Sequence, residues 1–399
     1  MFPDPFASKK TLASLRKPYH MLSSIIILVV AFLSLIALMV IHEFGHFIIA
    51  KKFGVAVDEF GIGYPPRMFG KKIGETIYSV NWIPLGAFVR IRGEEGLPDQ
   101  VGIDDLRSFS NLKIWKRVLI IIGGVAAFWI TAIIIFSVVF AMGADLPVGD
   151  QEVQGLTNAQ IKVISVSPNS PASTAGLKAG DTLLQIGNVQ LNKIKDFQDF
   201  TKTHAGEQLD LKIKRVTHGV PQILDVNLTP RVNPPEGQGA VGIGLERMAS
   251  LVEKSSWYAA PVRGAVYTWE TTINALKGLY ITLRDLTMGK GAPGGASFAG
   301  PLGITVFMAN AASYGIGFFL YFIGMISVFI AIFNLFPIPA LDGGKLIFLL
   351  IEKIKGKPVS VKVEQIITTT CFIVLITLSL FITIRFDVPR FAEFLKASF

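Results

Sequence analysis

Ile25-Ile26-Ile27-Leu28-Val29-Val30-Ala31-Phe32-Leu33-Ser34-Leu35-Ile36-Ala37-Leu38-Met39-Val40-Ile41-His42-Glu43-Phe44-Gly45-His46 is an apolar run that ends in His-Glu-x-x-His. The run is uncharged from Ser24 to Ile41, and with the motif it is long enough to cross a bilayer as a helix. On that helix His42 and His46 stand four residues apart, on one face, where both imidazoles can ligate one zinc ion. Glu43 is then placed to act as general base on a water that the metal activates. Ionisable groups are costly inside a membrane and mark function there. Only five His occur in the chain and two of them are in this pentapeptide. The bland alternative, a polar helix end resting in the headgroup layer, leaves that pairing unexplained.

The composition agrees with a membrane setting. The chain has 399 residues, of which 51% are hydrophobic and 17% charged, against about 25% charged in soluble domains. Apolar runs of spanning length cover residues 22–50, 118–142, 316–335 and 366–384, with the third segment extending to 343 and the fourth occupying 363–386. The net charge of +9 comes mostly from Lys and Arg flanking these runs, which suits anchoring to anionic lipid and argues against a nucleic-acid partner. Cys371 is the only cysteine, so no intrachain disulfide and no Cys-based metal site can form. The first run ends in His-Glu rather than in a small-residue cleavage site, so it reads as a retained span. Eleven Lys and Arg fall between Lys51 and Arg117, and Lys345, Lys353, Lys355, Lys357 and Lys362 cluster after the third run. These two loops, 51–117 and 344–362, are expected to be cytoplasmic, against the opposing vote of Lys9, Lys10, Arg16 and Lys17 in the 1–21 tail. The long segment from Gly143 to Gly315 and both tails, 1–21 and 387–399, then face outward.

The expected fold is a polytopic helical membrane protein with two β inserts. Residues 78–91, rich in β-branched and aromatic types, read as a membrane-associated β-hairpin over about 77–92. Its Pro84, Leu85, Gly86, Ala87 and Phe88 are candidates for positioning an extended substrate strand. Residues 151–248 alternate as short strands, among them 161–166 and 209–214, with a last strand expected from Ala240 to Leu245. Residues 249–315 are read as an amphipathic helical linker, because Arg263, Glu270, Lys277 and Arg284 interrupt its apolar stretch. A catalytic zinc needs a third protein ligand. Lys52 occupies the place, six residues after the second His, where a third His would be, and Glu59, Glu75, Glu94 and Glu95 lie in a charged loop. Asp342 is the better candidate: it follows the third span in Phe333-Asn334-Leu335-Phe336-Pro337-Ile338-Pro339-Ala340-Leu341-Asp342-Gly343-Gly344. The prolines end the helix, the paired glycines are expected to turn the backbone, and broken backbone at membrane depth implies a protein-lined cavity.

Residues 170–187, Ser-Pro-Ala-Ser-Thr-Ala-Gly-Leu-Lys-Ala-Gly-Asp-Thr-Leu-Leu-Gln-Ile-Gly, resemble the PDZ signature. Together with the His-Glu-Phe-Gly-His of the first span and the Asn334-to-Gly344 segment of the third, the chain resembles the site-2 protease family, in its bacterial branch of regulators of sigma-E protease type. The resemblance implies an intramembrane zinc protease of the bacterial inner membrane, with its PDZ-like domain on the extracytoplasmic side. It implies His42, His46 and Asp342 as zinc ligands, Glu43 as base, and Asn334 assisting at the substrate or the oxyanion. It further implies single-span membrane substrates, of anti-sigma factor or remnant signal peptide type, already shortened by a site-1 type protease. Two departures stand out: Phe128 occupies the position four residues after Gly124 where the family often has Asn, and there is one PDZ-like domain where some relatives have two. The rival reading is a non-catalytic PDZ-bearing scaffold or receptor with a relic zinc site.

Overall fold

The computed structural model describes residues 9–94, 106–143, 145–147, 156–217, 220–235, 238–251, 255–289, 299–313 and 315–398; Glu95 and Gln151, named above, lie outside them. The chain opens with helix α1 (Lys9–Lys52), whose Gly54 at φ +78° turns it into strands β1 (Val57–Ile73) and β2 (Thr76–Ile91). Helix α2 (Ile114–Met142) follows and is closed by Gly143 in the left-handed region, a conformation that suits glycine. A β domain comes next: β3 (Asp145–Pro147), β4 (Leu156–Val166), α3 (Pro171–Thr174), β5 (Thr182–Ile186), β6 (Val189–Gln190), α4 (Ile194–Thr203), β7 (Leu209–Thr217), β8 (Val220–Leu228) and β9 (Ile243–Leu251). Among the described residues six α-helices follow: α5 (Ala260–Thr287), α6 (Pro301–Ser313), α7 (Ile316–Asn334), α8 (Asp342–Lys355), α9 (Val361–Ile382) and α10 (Val388–Ser398), the last two joined by a π-helical turn (Thr383–Asp387). Among the described residues four helical stretches are long and apolar enough to cross a membrane, Ile25–Lys52, Ile114–Met142, Ile316–Asn334 and Val361–Ala392.

The membrane-associated hairpin expected over 77–92 is corrected. Tyr78 and Val89 both pair with Phe60, as Ser79 and Phe88 both pair with Gly61. The two halves of β2 are therefore held apart by the first part of β1, which lies between them, while the tight turn joins Ile73 to Thr76. A purely local reading finds the alternation in 78–91 but not its partner, because that partner is some twenty to thirty residues upstream. Glu59 is buried within this sheet and accepts from Ser79 Oγ at 2.7 Å and from Arg67 at 2.8 Å.

The β domain is an antiparallel sheet in the order β3-β9-β4-β5-β7-β8, with β6 beside β5. The last strand runs from Ile243 to Leu251, later and longer than the expected 240–245, because Ala240 to Gly242 form the preceding turn, with Gly242 at φ +75°. Ile161, Val163, Leu183, Ile186, Leu211 and Ile213 fill its core. Asp181 is buried and bound twice by the Arg215 guanidinium at 2.7 Å, which holds the Arg215 group above its ordinary pKa. The insertion leaves and rejoins the helices at one point, where the Ser255 N–H donates to the Phe140 carbonyl at 3.3 Å.

Three apolar clusters organise the helices. One joins α1, α2, α6 and α7 around Leu38, Val125, Phe128, Met308 and Phe319. A second joins α2, α5 and α7 around Phe136, Phe140, Ala260 and Tyr321. A third closes the end of α1 against the small sheet, α2 and α8 through Ala50, Val57, Ile120 and Leu349. Helix α9 is the exception, with no buried residue along its length.

Candidate metal centre

One turn of α1 separates His42 from His46, so both rings leave the same face. Their Nε2 atoms are 3.3 Å apart. Asp342 Oδ2 lies 3.3 Å from His42 Nε2 and 3.4 Å from His46 Nε2. All three residues are buried, and they form the converging group of His, Cys, Asp or Glu donors found among the described residues. A tetrahedral zinc ion with bonds of about 2.0–2.1 Å requires donors about 3.3–3.4 Å apart. The triangle meets that requirement. Asp342 Oδ2 is also a buried acceptor without a well-formed hydrogen bond, the kind of atom that a cation between the three donors would satisfy.

Each of the three converging residues is brought to its place by a specific local device. The His46 ring donates from Nδ1 to the Ile120 carbonyl of α2 at 2.9 Å, which turns the Nε2 lone pair toward the centre. Helices α1 and α2 approach closely here because Gly45 faces the Gly123 carbonyl and Gly124 faces the His46 ring; a Cβ at Gly124 would overlap that ring. Phe128, one turn further along α2, is fully buried and stacks on His42 with centroids 4.7 Å apart and planes 16° from parallel. Asp342 is the first residue of α8, where the helix dipole favours a carboxylate. The reading of Gly343-Gly344 as a turn is corrected: both are in the first turn of α8, and the chain bends earlier, through Pro337 to Leu341. The glycines serve close approach instead, since a Cβ on Gly343 would strike the Leu335 and Phe336 carbonyls and one on Gly344 the backbone of Ile338 and Pro339.

Ion pairs also fix α8. Lys345 Nζ reaches Glu94 at 2.6 Å, and the Arg117 guanidinium holds Glu352 in a buried two-point contact, Nη1 to Oε2 being 2.9 Å. Glu94 is thereby paired and is not among the three converging donors, and Glu59 is taken up by the sheet. Glu75 is paired with Lys51 and Arg107, which hold its carboxyl below the usual range. Glu43 stands half-buried between the two ligand positions on α1. Asn334 is the last residue of α7 and donates to its own helix at the Ile330 carbonyl, 3.1 Å away, rather than to the His–Asp group.

The small sheet rests on the motif through Phe44 and Phe47, whose rings meet Phe60, with Phe47 also meeting Tyr78. Of the expected substrate-positioning residues, Pro84 is exposed, Gly86 takes φ +85°, Ala87 is buried opposite Ile62, and Phe88 stacks on Tyr64; the Leu85 side chain is outside the described set. Burial pushes the Tyr64 hydroxyl above its ordinary value, and Glu43 adds to that effect. Tyr64, Ile120 and the contact of Phe128 with His42 have no signal in the sequence taken locally.

The sequence pattern of Peptidase family M50 matches residues 30–378. A protein of Clostridium perfringens assigned by name to the zinc metalloproteases is 33% identical over 358 residues, covering 90% of this chain and 97% of its own. The zinc metalloprotease RasP of Oceanobacillus iheyensis is 26% identical, over 89% of this chain and 97% of its own. The regulator of sigma-E protease RseP of Escherichia coli is 28% identical, over 82% and 91%. With a match over most of its length, a converging His–His–Asp group and four apolar helices, the chain belongs to peptidase family M50, the site-2 proteases, and is a multi-pass membrane zinc metalloprotease.

Proposed function

We propose that His42, His46 and Asp342 hold the zinc ion and that Glu43 is the general base for hydrolysis of a peptide bond within the membrane. The observation that carries this reading is the triangle of donor atoms with sides of 3.3, 3.3 and 3.4 Å. When bound, zinc supplies Lewis acidity toward water and toward the carbonyl under attack. Glu43 accepts the proton of the attacking water and returns it to the leaving amine. Asn334 offers an amide hydrogen bond to the substrate or the developing oxyanion once it releases the Ile330 carbonyl. A substrate helix hides its carbonyls in its own hydrogen bonds, so it must unwind locally, and the small sheet beside the motif offers edges on which an extended stretch can be held.

The substrates on this reading are transmembrane segments of single-span proteins trimmed beforehand by a site-1 type protease. The naming of one relative as a regulator of sigma-E protease points to anti-sigma factors, with remnant signal peptides as the other class. The enzyme lies in a bacterial inner membrane, with loops 51–117 and 344–362 cytoplasmic and the β domain outside. That domain acts as a PDZ-like module: β9 is paired on one edge by β4, and on the other by β3 only at Met248 to Ser250, so no described strand covers Ile243 to Arg247 on that edge. Glu43→Gln should retain zinc and lose cleavage of a model membrane substrate, while His42→Ala and His46→Ala should lose both. Metal content and turnover measured side by side check this, and turnover persisting in Glu43→Gln would remove Glu43 from the role.

A further inference from the structure

We infer that Phe128 is a positioning residue for the metal centre, setting the plane of the His42 imidazole by stacking as Ile120 sets that of His46 by a hydrogen bond. The inference rests on the reading of His42 as a ligand. Ile120, Gly124 and Phe128 follow one another at four-residue intervals and so share one face of α2. That face meets both imidazoles. The Ile120 carbonyl takes the His46 Nδ1 proton, Gly124 leaves the space in which the His46 ring sits, and the Phe128 ring covers the face of His42.

The two histidines are held differently. A ligating imidazole ordinarily fixes its orientation by donating from its second nitrogen. His46 does so at 2.9 Å, whereas His42 Nδ1 is buried without a well-formed hydrogen bond, and the Gly124 backbone gives that ring only a weaker polar contact. The flat restraint on His42 is the Phe128 ring, lying 4.7 Å away and 16° from parallel. Phe128 can impose that restraint because it is itself immobilised. It is fully buried among Leu38, Val125, Met308 and Phe319, and Ser327 of α7 donates to its carbonyl at 2.8 Å. Rotating the His42 ring would swing Nε2 out of the triangle or drive the imidazole into a packed aromatic. The face of α2 therefore presents both nitrogens correctly before any ion arrives.

The test compares Phe128→Leu with Phe136→Leu in the purified full-length protein. Both phenylalanines are fully buried on α2, but the Phe136 ring packs on Tyr267 and Tyr321 rather than on a ligand. Zinc affinity is read by competition with a chromogenic chelator, and ligand geometry by the visible absorption of the cobalt-substituted protein. Phe128→Leu should weaken zinc about 10- to 100-fold, the usual effect of removing a group that orients a ligand, and should alter the cobalt bands. Phe136→Leu should leave both unchanged. Phe128→Met, which fills the space without a flat face, should reproduce the loss and serves if the leucine variant does not fold. Zinc affinity of Phe128→Leu or Phe128→Met equal to the parent, or an equal loss in Phe136→Leu, overturns the inference. His42→Ala separates the two readings: if it binds zinc as the parent does, the ligand assignment fails; if it loses zinc while Phe128→Leu does not, only the stacking role fails.

Discussion

At the scale of single residues, the chemistry depends on groups denied their usual solvation, and the same physics acts outside the metal centre. Glu246 on β9 is half-buried, and burial pushes its carboxyl above the ordinary value of 4.5. A carboxyl raised in the folded state contributes stability that is fully present below about pH 4.5 and is lost as pH rises through its folded pKa. Glu246→Gln should therefore raise the melting temperature at pH 7 to 8 by a few degrees, with the gain vanishing toward pH 4.5; a gain independent of pH would contradict the burial effect. The three converging residues were legible from sequence because their signals are local. A four-residue spacing and an Asp behind two prolines need no knowledge of the fold. Phe128 was visible only as a residue out of pattern, since its contact with His42 joins positions 86 apart on different helices.

At the scale of elements, the placement of α8 decides whether Asp342 meets the histidines. The largely buried Arg117–Glu352 pair ties α8 to α2 about 15 Å along the helix from Asp342, at 1.5 Å per residue. Glu352→Gln strips Arg117 of its counter-charge and should destabilise the protein by about 3 kcal/mol with a loss of zinc affinity. Replacing both, Arg117→Met with Glu352→Leu, removes the stranded charge and should recover most of the stability. A double variant no more stable than the single one would show that the pair does more than neutralise itself. The four spans were readable because length and hydropathy suffice for them. The small sheet was not, because its central strand is contributed by 57–62 rather than by the alternating stretch itself. Helix α6 was also hidden in what looked like linker; at thirteen residues it is too short to register as a span, yet Met308 lies in the central cluster.

At the scale of the whole molecule, the β domain is an insertion whose two ends meet at Phe140 and Ser255. It can therefore be excised over 145–251, taking β3 and β9 together, without prising the helices apart. If it screens substrates by bulk, the excised enzyme should keep its zinc and its basal hydrolysis while also cutting untrimmed substrates. Failure to cut an already trimmed substrate, in a folded and zinc-loaded protein, would make the domain a recruiter instead. An impermeant thiol reagent should reach a cysteine placed at Asn188 in intact cells and one at Lys355 only after permeabilisation, which fixes the side on which such screening occurs. Helix α9 stands apart from this arrangement. It has no fully buried residue, and Thr368 donates to the Pro339 carbonyl of the body at 3.3 Å. Most of its length is exposed apolar surface, so exchanges among Leu, Ile, Val and Phe at those exposed positions should leave the metal centre unchanged, and that surface can drift in sequence while the histidines and Asp342 stay where they are.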